Sequence, residues 1–219
     1  MTQQRLLLRA DGFVPGPRPP LGAEAACELL IGARARAVIL VEGWSDQAAL
    51  ESLALRRGWD LTAEGIGVVP IGGITNIGKF AQALGPQGLG IRLAGLCDAA
   101  EEPYVTRNLH RMGLGSALTR EDTEALGFFV CEADLEDELI RALGTAAVER
   151  VLESEGELAS FRRFQDQPAQ RGRSTHAHLR RFMGTRARRK IRYGSLLIDA
   201  LPLERVPRAL DLVLAYHRR

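Results

Sequence analysis

Five apolar residues, Ala37-Val38-Ile39-Leu40-Val41, run without interruption and stop at Glu42-Gly43, the pattern of a strand covered on both faces. Residues 22–35 before it read as a helix, and Ser45 after it is a good N-cap for a helix running to about Arg57. Residues 65–71 form a short β-branched strand. It leads into Gly72-Gly73-Ile74-Thr75-Asn76, a tight turn in which Thr75 or Asn76 can cap a helix through Leu84. Residues 85–90 read as loop, 91–97 as a strand ending at the acid Asp98, and 103–112 as a helix with Pro103 in its first turn. A fourth strand over 126–131 precedes Asp134, which caps a helix over 135–143. Strands alternating with helices at this spacing predict an α/β fold built on a doubly wound parallel sheet. Beyond Ala146 the periodicity is wholly helical, over 146–154, 157–165, 175–183, 188–200 and 206–217, with no internal repeat.

The change of period suggests three parts: an extension and leading helix over 1–35, an α/β core over 36–145, and a helical region over 146–219. Residues 1–20 contain Pro15, Pro17, Pro19 and Pro20 and lack the apolar core of a signal peptide. No run approaches the ~18 apolar residues that span a bilayer. A cytoplasmic protein without a membrane partner is expected. Cys27, Cys97 and Cys131 form no C-x-x-C pair, and the last two close apolar strands, so they read as small core residues.

Charge divides along the same line. The net charge of +2 hides 23 acids and 14 bases in 1–160 (net −9) against 4 acids and 15 bases in 161–219 (net +11). One part is suited to cations and the other to phosphates. No acid falls between Arg171 and Arg192, a stretch that predicts a salt-sensitive polyanion face including Arg180, Arg181, Arg186, Arg188, Arg189 and Arg192, unless these bases are solvated or dock against the acidic part. Aromatic residues make up only 5% of the chain, which favours backbone contact with a duplex over base stacking on single strands.

Parallel sheets bind ligands at the carboxyl ends of their strands, where two strands here deliver Glu42 and Asp98, so a shared divalent cation is the first chemical expectation. Asp46 could join them or complement its helix dipole. Glu136 could join them or belong to a solvated acidic helix start over 134–138. Thr75, Asn76 and the amide of Gly73 could bind phosphate at a helix start. His176 and His178, two apart on a helix, face different ways and suit phosphate contact or the surface better than metal binding. Lys79 reads as surface, and Tyr104, Tyr193 and Tyr216 lack the context of a covalent nucleophile.

Val41-Glu42-Gly43-x-x-Asp46, the Gly72-Gly73 turn, Leu96-Cys97-Asp98 and Asp134-Leu135-Glu136-Asp137 together resemble the TOPRIM domain of topoisomerases, bacterial primases and the OLD (overcoming lysogenization defect) nucleases, the last most of all. The resemblance spans about residues 36–215. It implies Mg²⁺ or Mn²⁺ as cofactor, metal ligands at Glu42, Asp46, Asp98 and Glu136, catalytic roles for Glu42 and Asp98, and a catalytic lysine matched by Lys190. The family pattern has Asp-x-Asp on the third strand, whereas Asp98-Ala99-Ala100 has alanine at the second acid. A helical turn after Asp98 would let Glu101 replace it. OLD nucleases usually carry an ATPase before TOPRIM, and residues 1–35 hold no phosphate-binding Gly-x-x-x-x-Gly-Lys loop, so any ATPase partner is expected to be a separate chain. The leading expectation is a metal-dependent nuclease acting on DNA, with RNA as another substrate, in repair or phage defence and as a monomer or homo-oligomer. The alternative is a TOPRIM-like DNA-binding or assembly module with a weakened metal site. Topoisomerase- or primase-like transfer ranks third, because the further lobes it needs are absent from the pattern.

Overall fold

In the computed structural model, residues 21–116 and 118–218 are described. The proline-rich stretch expected to be an extension lies outside them. Chain order runs α1 (Ala23–Gly32), β1 (Ala37–Val41), α2 (Trp44–Arg56), β2 (Ile66–Pro70), α3 (Ile77–Leu84), β3 (Arg92–Asp98), α4 (Glu102–Arg111), α5 (Arg120–Ala125) and β4 (Phe128–Cys131). Six helices follow: α6 (Leu135–Leu143), α7 (Thr145–Ser154), α8 (Leu158–Gln165), α9 (Thr175–Gly184), α10 (Ala187–Ala200) and α11 (Arg208–Tyr216).

The four strands pair in the order β2-β1-β3-β4, all parallel. Every residue of β1 is buried, because alternate side chains enter different cores. Ala37, Ile39 and Val41 join one cluster with Leu50 and Leu53 of α2, Leu139 of α6, Phe161 of α8, Phe182 of α9, Leu197 of α10 and Val213 of α11. Val38 and Leu40 join the other with Leu30 of α1, Phe80 of α3 and Leu109 of α4. The basic C-terminal helices therefore share a core with one face of the sheet. No described helix is long and apolar enough to cross a membrane.

From β1 the chain crosses to β2 on one side and then to β3 on the other. The connections leaving β1 and β3 diverge, which opens a crevice at the carboxyl edge of the sheet. Val41 pairs with Leu96 across β1 and β3, so Glu42 and Asp98 leave neighbouring strands at nearly the same height.

Several local expectations change. Ser45 does not cap α2: Gly43 is the N-cap, and the Asp46 carboxylate accepts the Gly43 amide at 2.9 Å, so α2 starts earlier and Ser45 is buried within it. Asn76 precedes α3 without capping it, since its side-chain amide donates to the carbonyls of Ile71 and Gly72. Short α5 was not expected; Thr119 and Asp122 form its capping box, but its six residues are too polar to display a period. His178 is buried rather than exposed, between the Gln170 carbonyl at 2.8 Å and the Gln165 amide at 3.2 Å. Cys97 and Cys131 are buried free thiols, and Lys79 is exposed.

Candidate functional site

The acids at the crevice are held by local backbone logic. Glu42 follows β1, and its carbonyl accepts the amides of Gly72 (3.0 Å) and Gly73 (3.1 Å), so the glycine turn after β2 is fastened to this residue. Both glycines have positive φ, 71° and 107°, which a side chain would oppose. After β3 the chain makes one 3-10 turn over Ala99–Glu101. That turn brings Glu101 back over Asp98, whose amide donates to Glu101 Oε2 at 3.4 Å.

One carboxylate oxygen each from Glu42, Asp98 and Glu101 lies within 4.8 Å of the other two, and all three residues are partly exposed. Burial first, then Asp46, Asp134, Glu101 and Glu42, push the Asp98 pKa up to about 8. Burial and Glu42 likewise raise Glu101. A cluster of hard oxygen donors this crowded and this reluctant to ionise fits an oxygen-loving divalent cation, whose charge would replace the repulsion with coordination.

A second group adjoins it. Asp46 and Glu136 are buried, and Lys190 Nζ from α10 lies 3.3 Å from Glu136 Oε2. Burial raises the Asp46 pKa, with Lys190 pulling against it. Burial, opposed by Lys190 and reinforced by Asp46 and Asp134, takes Glu136 to about 7. Burial disfavours the Lys190 charge, yet Glu136, Asp46 and Glu42 outweigh it and leave the ammonium harder to deprotonate than usual. Six of the residues expected at the site, Glu42, Asp46, Asp98, Glu101, Glu136 and Lys190, thus lie in one electrostatically coupled neighbourhood. Asp134 was not expected among them. It caps α6 through the Asp137 amide and also pairs with Arg180 at 2.5 Å.

The arginines divide. Arg181 on α9, Arg186 just before α10 and Arg188 in the first turn of α10 are exposed. Arg180 is exposed but paired with Asp134, and Arg192 is paired with Glu155. Arg189 is buried: it binds Glu157 Oε2 at 2.6 Å and Thr185 Oγ1 at 2.7 Å, with its guanidinium 3.9 Å from the centre of the Phe182 ring. The nucleic-acid contact expected of Arg189 has no surface to act on. The Gly73 amide is likewise engaged by Glu42, and among the three expected phosphate contacts only Thr75 is exposed, Gly73 and Asn76 being half-buried.

Over residues 35–99 the sequence matches the family model described as Overcoming lysogenization defect protein-like, TOPRIM domain. The structure is similar to the C-terminal region of the Burkholderia pseudomallei OLD protein, with 25% identity, a TM-score of 0.61, and 84% of this chain and 97% of that one covered. It is also similar to the C-terminal region of the Xanthomonas campestris pv. campestris OLD protein, with 26% identity, a TM-score of 0.65, and coverage of 86% and 94%. No curated protein matches the sequence significantly. Sequence match and fold agree: the chain carries a TOPRIM domain like that of the OLD family.

Proposed function

We propose that the chain is a nuclease, dependent on Mg²⁺ or Mn²⁺, that cleaves or nicks DNA phosphodiester bonds. The observation that supports this best is the convergence of Glu42, Asp98 and Glu101 within 4.8 Å at the sheet's carboxyl edge. In this reading Glu101 takes over from the acid that Ala100 does not supply. Two bound cations would activate a water on one side of the phosphorus and stabilise the leaving oxygen on the other. Glu42, Asp98 and Glu101 would hold one, and Asp46 and Glu136 would complete the second set of ligands.

Lys190 supplies a fixed positive charge beside these acids and would offset the negative charge gathering on the phosphate. Exposed Arg181, Arg186 and Arg188 would hold the DNA backbone. The division of labour follows the proposed parts: residues 36–145 bring the acids, and residues 146–219 bring the lysine and the arginines. An ATPase is the partner that fits this reading.

Supercoiled plasmid incubated with the protein and Mg²⁺ or Mn²⁺ tests the proposal. Nicked or linear product is expected from the wild type and not from Glu42→Gln or Asp98→Asn. Intact plasmid with both cations, or cutting that both variants retain, rejects it and leaves a DNA-binding or assembly module as the reading to pursue.

A further inference from the structure

Lys190 reaches the acids from a helix remote in sequence, so something must fix where that helix lies. Helices α2 and α10 run side by side in the same direction. At their far end Arg56 donates to the carbonyls of Ile198 and Leu201, and Ser52 donates to Asp199 between them at 2.6 Å. At the near end, one helical turn after Lys190, Gly194 lies against the backbone of Ser45, the residue before Asp46. A Cβ on Gly194 would stand 2.6 Å from the Ser45 carbonyl oxygen and 3.4 Å from its carbon. That oxygen is part of the first turn of α2 and has no freedom to swing aside, unlike the tip of a flexible side chain.

Glycine in the interior of a helix is less favourable than alanine, so propensity gives no reason for it here. The close approach does. We propose that Gly194 is a positioning residue whose missing side chain lets α10 settle on the start of α2 and so sets Lys190 against Asp46 and Glu136. A side chain there forces α10 back by several tenths of an ångström and withdraws the ammonium one turn away. Only the catalytic consequence of this rests on the nuclease reading; the placement of Lys190 stands independently of it.

The chain has only two lysines, Lys79 and Lys190, which makes the placement observable by spectroscopy. Reductive methylation with ¹³C-formaldehyde gives each a separate NMR signal, assigned with Lys79→Arg. The expected result is a Lys190 signal displaced from that of exposed Lys79 in the wild type and shifted toward it in Gly194→Ala, with the Lys79 signal unchanged. Arg56→Gln, which weakens the hold on the far end of α10 and keeps the Gly194 contact, should leave the Lys190 signal in place. If the protein cuts DNA, Gly194→Ala should slow cutting by about tenfold or more, and should cost nothing further in a Lys190→Met background. A Lys190 signal unmoved by Gly194→Ala, one moved equally by Arg56→Gln, or a Gly194→Ala chain that fails to fold overturns the proposal. An inactive wild type that still gives the expected shifts overturns the nuclease reading and leaves the positioning role intact.

Discussion

The backbone carbonyl of Glu42 accepts the amide of Gly73 at 3.1 Å, tying the turn after β2 to the acid that ends β1. A Cβ on Gly73 would meet nothing within 4 Å, so the position demands glycine for its φ of 107° rather than for space. Gly73→Ala should therefore cost about 1–3 kcal/mol through backbone strain alone. Urea unfolding should register that loss, and plasmid nicking should fall with it because Glu42 loses its brace. An alanine variant of wild-type stability would contradict the role given to the turn.

A cation that binds the folded crevice and not the unfolded chain stabilises the fold by mass action, by about 2.7 kcal/mol at a hundredfold excess over Kd. Melting in EDTA and then in Mn²⁺ should reveal a clear rise in Tm for the wild type. Asp98→Asn should lose most of that rise while melting at or above the wild-type temperature in EDTA, since it removes one of the mutually repelling carboxylates.

His217 supplies a pH signature far from the acids. Its Nε2 lies 3.1 Å from the Val38 carbonyl, which can only accept, so Nε2 carries the proton, and buried Nδ1 has no partner among the described residues. Burial, together with Arg92 and Arg36, lowers its pKa to about 4. Because the folded value lies below the ordinary value of 6.5, the stabilisation is complete above about pH 6.5 and is lost as pH falls through 4; the span corresponds to about 3 kcal/mol. Stability measured across that window should fall less steeply in His217→Gln, whose amide can still donate to Val38. Parallel slopes would reject the assignment.

The two kinds of arginine should respond differently. Reversing Arg186 and Arg188 to Glu should weaken DNA binding and flatten its dependence on salt, with little change in stability. Arg189→Leu should instead destabilise the protein, because it removes the 2.6 Å ion pair with Glu157 and leaves that carboxylate only Arg192, 3.8 Å away. Binding assays across salt concentrations, with unfolding curves, separate the cases.

Strands, acids and the Asp134 cap were legible because each rests on a local signal: an uninterrupted apolar run, an acid at its end, or a capping residue before a helix. Arg189 was not, since one arginine among many carries no mark of which one turns inward to Glu157 and Phe182. Ser45 was misread as a cap because the competing cap depends on a side chain three residues on, Asp46 reaching back to Gly43. Gly194 and the amides of Gly72 and Gly73 act through contacts with residues far away in the chain, which periodicity cannot reveal. Glu101 was legible only on the condition of a turn after Asp98, and the 3-10 turn meets it.

Calorimetric titration of the purified protein with Mn²⁺ tests most directly whether Glu42, Asp98 and Glu101 form a cation site. The account predicts saturable binding in the wild type, weakened about tenfold or more in Glu101→Gln and abolished in Asp98→Asn. Absence of binding heat in the wild type, or affinity unchanged by either substitution, would contradict it.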